Sequence, residues 1–203
     1  MRHLLDRPAR RVPVVLGVAV AALLLLTACG GGRDRTTDGY VGADGSKGGL
    51  VVLVDSADRK PAPVLTGEGL DGRPLSTADY AGQTLVINLW GPWCPPCRAE
   101  APALKEVSEE YADQGVQFIG MLTKTPDPAT AIAFNRRQGI TYPSFADQGG
   151  SLELGFVKSL PTQAIPTTWV IDAKGRVAAR IMDPKLRAST LAGVIDDVQK
   201  STP

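Results

Sequence analysis

The hydrophobic pattern divides the chain into three stretches. Val12 to Leu26 is a run of 15 residues broken only by Pro13 and Gly17, and Gly30 to Gly49 is polar and glycine-rich with few apolar positions. From Leu50 onward, apolar residues recur at strand and helix periods. Leu85-Val86-Ile87-Asn88-Leu89-Trp90 is nearly continuous, which predicts a central strand covered on both faces. A helix pattern opens at Cys94 and runs through Tyr111, and Val116 to Leu122 reads as a second buried strand. Pro128 to Gln138 reads as a helix with Gly139 as its stop signal, Ile140 to Phe145 as a short strand, and Leu152 to Val157 as a short helix. Thr167 to Asp172 and Arg176 to Ile181 form two strands joined by the turn Asp172-Ala173-Lys174-Gly175. Pro184 to Lys200 places Leu186, Leu191, Val194, Ile195 and Val198 on one helical face. Ahead of these, Leu50 to Val54 is a candidate edge strand, and Asp71-Gly72 is the turn of a small hairpin. The order β-α-β-α-β-β-α predicts an α/β fold with parallel and antiparallel strand pairs in one sheet.

The first stretch is too short for a membrane-crossing helix, which needs about 20 apolar residues. With Arg7, Arg10 and Arg11 before it, it reads as an export signal over residues 1–28. Leu26-Thr27-Ala28-Cys29 resembles the bacterial lipobox, which implies lipid attachment at Cys29 and cleavage in front of it. A plain signal peptide or an uncleaved anchor is the alternative. The expected organisation is a signal peptide over 1–28, a lipidated cysteine and flexible tether over 29–49, and a folded domain over 50–203. The expected location is the extracytoplasmic face of the cell membrane.

Cleavage changes the composition. Residues 1–28 hold four Arg and one Asp, so the 22 basic and 21 acidic residues fall to 18 and 20, a net charge of −2. This near-neutral balance has no basic cluster and gives nucleic acid nothing to bind. The only histidine, His3, leaves with the signal, which removes Cys-His and Ser-His mechanisms and histidine metal sites. Of three cysteines, lipid consumes Cys29 and leaves the pair Cys94 and Cys97. A disulfide closing so small a loop staples almost nothing, so the pair reads as chemical rather than structural.

Trp93-Cys94-Pro95-Pro96-Cys97 lies between a buried strand and a helix start. A cysteine at a helix N-cap faces unpaired N–H groups and the positive end of the helix dipole, both of which favour thiolate. Pro95 suits the first helical position, and Pro96 removes the next donor, leaving the Cys97 N–H as the nearest backbone partner of a Cys94 thiolate. One CxxC without histidine speaks against zinc. The Pro-x-x-x-Thr/Ser-x-x-Cys arrangement of peroxidases is absent around Cys94.

From about Pro61 onward the chain resembles the TlpA-like, cytochrome c-maturation (ResA-like) branch of the thioredoxin superfamily. The resemblance rests on Val86-Ile87-Asn88-Leu89-Trp90, on Trp93 through Glu100, and on Ile165-Pro166-Thr167-Thr168-Trp169-Val170-Ile171-Asp172. It implies a thioredoxin fold with an N-terminal hairpin extension. It also implies a redox-active Cys94–Cys97 disulfide with no further cofactor, Cys94 being the exposed attacking thiolate and Cys97 the buried resolving thiol. Pro166 corresponds to the superfamily's cis-proline, Ile165 to the residue whose backbone pairs with an extended substrate, and Pro102 to a helix-kinking proline. Trp93, Pro95 and Pro96 complete the expected substrate surface, while Trp90 and Trp169 read as core. Glu100 corresponds to an active-site acid, although by position it equally fits a solvated helix glutamate. Asn88 stands where cytoplasmic thioredoxins carry a buried aspartate.

The resemblance implies a monomeric disulfide reductase fed by a transmembrane electron donor and acting on oxidised, thiol-bearing exported proteins, such as the CxxCH motif of apocytochrome c. Two other readings stay open: an oxidase installing disulfides in secreted proteins, and a non-catalytic lipoprotein using the fold as a binding module.

Overall fold

The computed structural model describes residues 40–41 and 50–202. The expected signal peptide, Cys29 and most of the expected tether lie outside the described residues. The exception is strand β1, Tyr40–Val41, which falls within the tether stretch and pairs in parallel with Val51–Val52 of β2 (Val51–Leu53).

The centre of the fold is β5, Thr84–Trp90, all seven of whose residues are buried. Parallel β6 (Val116–Thr123) flanks it on one side and antiparallel β8 (Thr167–Ile171) on the other. Outside these lie β7 (Ser144–Asp147), parallel to β6, and β9 (Val177–Ile181), antiparallel to β8. The complete order is β1-β2-β9-β8-β5-β6-β7. This is the thioredoxin fold, a mixed sheet with helices α1 (Pro95–Glu110), α2 (Pro128–Gln138) and α3 (Ala188–Lys200).

Alternation along the strands sorts the core. Val86, Phe118 and Val170 pack with Leu104 and Val107 of α1 and with Leu191, Val194 and Ile195 of α3. Trp90 and Leu122 meet Ala101 of α1 and Phe134 of α2. The intervening residues Leu85, Ile87, Leu89, Ile119, Met121 and Trp169 face the opposite side, where Leu65, Leu75, Phe145 and Phe156 cover them. The N-terminal hairpin, β3 (Thr66–Glu68) and β4 (Pro74–Ser76), belongs to that second layer. Beyond β3 the chain also guards an edge: Gly69 bridges to Phe145, and the Leu70 N–H donates to the Ser144 carbonyl at 2.8 Å, so β7 does not end in unpaired groups.

Three elements differ from expectation by more than one residue or in kind. The strand expected from Ile140 begins at Ser144, because α2 ends at Gly139 in the left-handed region (φ 69°) and Pro143 has no N–H to donate. Pro143 contributes only its carbonyl, which accepts from the Gly120 N–H at 2.8 Å. The final helix begins at Ala188 rather than Pro184: the Asp183 carboxylate accepts from the Lys185 N–H at 2.8 Å and turns the chain there. The short helix is a single 3-10 turn over Leu152–Phe156, whose Phe156 ring stacks on Trp169 with centroids 4.1 Å apart. Glycine is required at position 120, since any Cβ there would run into the Ser144 hydroxyl and the Trp90 indole.

Candidate active site

Strand β5 delivers its last residue, Trp90, to the sheet's carboxyl end, and Gly91-Pro92-Trp93 then carries the chain to α1. Cys94 is the N-cap of that helix, with Pro95 and Pro96 in its first two positions. Both prolines lack N–H groups, so the first available donor is the Cys97 N–H, which points at the Cys94 sulfur from 3.2 Å. Cys94 and Cys97 are joined by a disulfide across a Cα separation of 5.3 Å.

Each expected site residue from Trp93 onward has a definite place. Cys97 is 3% exposed, among Trp90, Ala101, Leu122 and Phe134. Cys94, expected to be exposed, is only 2% exposed in this oxidised form, its sulfur engaged by the disulfide and by the Cys97 N–H. The Ile165–Pro166 bond is cis, and the Ile165 carbonyl oxygen lies 3.9 Å from the Cys94 sulfur. Ile165 is half-buried and Pro166 buried, while Pro95 is exposed and Pro96 intermediate. Trp93 is the large apolar group at the rim, 48% exposed, with its indole N–H directed to the Thr123 carbonyl at 3.4 Å. Trp90 and Trp169 are core: their indoles donate to Ser144 Oγ and the Leu160 carbonyl at 3.2 and 2.7 Å. Pro102 lies within α1.

Glu100 is not a solvated helix residue. It is 2% exposed and accepts a hydrogen bond from Asn88 Nδ2 at 2.8 Å. The same nitrogen donates to Thr168 Oγ1 at 3.0 Å. Burial pushes the Glu100 carboxyl up to about 8, the Asn88 hydrogen bond opposes that rise, and the Asp183 charge adds to it. The resemblance assigns Thr168 no role of its own. Its signal was a polar residue on a buried strand, at the face shared with Val170 and α1. Among the described residues, no group of three His, Cys, Asp or Glu side chains could hold a metal ion.

The raised carboxyl makes a measurable expectation. A carboxyl that titrates at 4.5 unfolded and about 8 folded holds more protons in the folded state between those values. Stability of the oxidised protein is therefore expected to fall as pH rises from about 4.5 to 8 and to level off above. The oxidised form isolates this effect, since its disulfide does not titrate. Thermal melts of Glu100→Gln across that range are expected to lose the slope, and a variant that keeps it would show another group responsible.

The chain was compared with known proteins. A family model described as Redoxin matches residues 56–195. The thiol-disulfide oxidoreductase ResA of Bacillus thuringiensis subsp. konkukian is 30% identical over 122 residues, 60% of this chain and 68% of the relative. Among solved structures, a DsbF homologue from Corynebacterium diphtheriae is 32% identical with a TM-score of 0.68, covering 78% of this chain and 97% of that one. A secreted thiol-disulfide isomerase from Corynebacterium glutamicum is 27% identical with a TM-score of 0.69, covering 78% and 95%.

Proposed function

We propose, since the chain belongs to the Redoxin family and is a thiol–disulfide oxidoreductase of the thioredoxin fold, that it reduces disulfides of exported proteins while held by lipid at the outer face of the cell membrane. The observation that carries this reading is the Cys94–Cys97 pair closed at the start of α1, with the Ile165 carbonyl beside it. In the reduced protein, the Cys94 thiolate attacks a substrate disulfide. One S–S bond breaks as the Cys94–substrate bond forms, and the first substrate sulfur leaves as thiolate. The Cys97 thiol gives its proton to the Glu100 carboxylate and attacks the Cys94 sulfur, which expels the second substrate thiolate. Two electrons have passed to the substrate, and the Cys94–Cys97 disulfide is closed as seen here. A carboxyl titrating near neutrality can take that proton and later return it.

Trp93, Pro95 and Pro96 offer the rim against which substrate packs, and Ile165 offers backbone to an extended segment beside Pro166. The substrate class is an oxidised dithiol in an accessible chain, such as the CxxCH segment of apocytochrome c. A transmembrane carrier is the class of protein that re-reduces the pair. The lipobox-like Leu26-Thr27-Ala28-Cys29 supports the anchor.

The test is the equilibrium redox potential of Cys94–Cys97, measured on residues 30–203 against dithiothreitol or glutathione buffers. A value near or below about −230 mV is expected for a reductant. A value near about −120 mV would overturn the direction and assign the same pair to disulfide installation in secreted proteins.

A further inference from the structure

Asn88 occupies the middle of the central strand, where β6 and β8 fix its backbone: it pairs with Gly120 on one side and Thr168 on the other. Its side chain is buried with the residue 3% exposed, and both bonds recorded for its amide nitrogen are donated, to Glu100 Oε1 at 2.8 Å and to Thr168 Oγ1 at 3.0 Å. The two N–H groups of one amide therefore have separate acceptors. Because the amide nitrogen can only donate, Oε1 accepts, and Oε2 is the oxygen that this bond leaves open to a proton.

We propose that Asn88 is a positioning residue for the thiol exchange: anchored by Thr168, its amide holds Glu100 Oε1 and leaves Oε2 as the oxygen that exchanges a proton with the Cys97 thiol. This rests on the reading of Glu100 as the acceptor of that proton. Cys97 lies one turn before Glu100 on the same helix, both side chains being buried against the sheet. The remaining titratable groups bearing on Glu100 come from other elements: Asp183 from the loop after β9, and Tyr142 from the loop before β7. Neither takes the place of Asn88, since the hydrogen bond recorded for Glu100 is the one from the amide. Asn88 thus does two things at once. It aims the carboxyl, and it stabilises the ionised form that must accept the proton. An aspartate at position 88 would instead set two buried carboxyls in contact, and the pair would share one proton.

The experiment uses the full-length reduced protein and dithiobis(nitrobenzoate), an aromatic disulfide whose two halves leave in succession. The first half leaves when Cys94 attacks, the second when Cys97 resolves, so a stopped-flow trace separates the two steps. In Asn88→Leu, the first phase is expected to keep its pH profile. The midpoint of the second is expected to move up by about one to two pH units, as befits loss of one hydrogen bond to a charged group. Asn88→Asp is expected to move it up as well, and Thr168→Val to move it in the same direction by less. A variant that is merely loosened would change amplitudes or both phases together and leave the midpoint in place. A second phase with an unmoved midpoint in Asn88→Leu overturns the proposal. Should Asn88→Leu not fold, unmoved midpoints in Asn88→Asp and Thr168→Val overturn it. Glu100→Gln separates the two readings. If it keeps the wild-type second phase, the proton role of Glu100 fails and this proposal with it. If it loses the inflection while the Asn88 variants retain theirs, the positioning role alone fails.

Discussion

Replacing Cys94 with alanine is expected to reduce turnover of a disulfide substrate to the uncatalysed background, a loss of about three orders of magnitude or more. The family resemblance gives Cys97 the resolving role, and it is the Cys94 sulfur that lies 3.9 Å from the Ile165 carbonyl, where an extended substrate segment would pair. Cys97→Ala is expected to behave differently. Its Cys94 still attacks, but no thiol stands ready to expel the substrate, so a covalent adduct accumulates. Incubating each variant with a disulfide-bonded protein and separating the products without reductant distinguishes the two. The adduct should form with Cys97→Ala and be absent with Cys94→Ala; an adduct through Cys97 would reverse the assigned order.

The second large effect is on stability. Asp172→Ala is expected to cost about 3–5 kcal/mol at neutral pH, the usual price of leaving a buried charge without its partner. Asp172 follows β8, its carboxylate fully buried between two guanidinium groups, Arg59 at 3.1 Å and Arg176 at 2.7 Å. The other carboxylate oxygen accepts from the Lys174 and Arg176 N–H groups at 3.0 and 2.9 Å, shaping the turn in which Gly175 takes φ 74°. Arg59 also donates to the Val54 carbonyl and to the hydroxyls of Ser201 and Thr202, so one cluster ties the segment after β2, the β8–β9 turn and the end of α3. Burial pushes the Asp172 carboxyl up, but the hydrogen bonds from Arg176 and Arg59 outweigh it and hold it below the ordinary carboxylate value. The sign follows: a depressed carboxyl adds stability above its unfolded value, and that stability is lost as pH falls through the folded one. Urea melts at neutral and acid pH should show wild type losing its advantage over Asp172→Ala in acid. A cost below about 1 kcal/mol at neutral pH would mean that the cluster behaves as a surface ion pair.

Much of this protein is written locally. Continuous apolar runs marked β5 and β6 as strands covered on both faces, and Pro95, Gly139 and Gly175 marked a helix start, a helix end and a hairpin turn where the structure has them. The Cys94–Cys97 pair could be singled out as chemical because a disulfide that closes so small a loop adds almost nothing to stability. These signals depend on neighbours along the chain, and sequence order contains them. Boundaries set by remote partners were not legible in the same way. The start of β7 depended on Pro143 meeting Gly120, and the start of α3 on a turn closed by Asp183.

For the site, the sequence alone determined which residues carry redox chemistry and that a helix begins at them. Only the tertiary structure decided what state Glu100 is in. Its position on α1 fits a solvated residue as well as a buried one, and the choice is made by Asn88 and Thr168, 12 and 80 residues from Glu100 and Asn88 respectively. Burial, and the desolvation that raises a carboxyl, depends on which surfaces the fold brings together. Hydrophobic periodicity tells which face of a helix turns inward, but a single carboxyl on that face acquires its chemistry from strands that the local pattern cannot see.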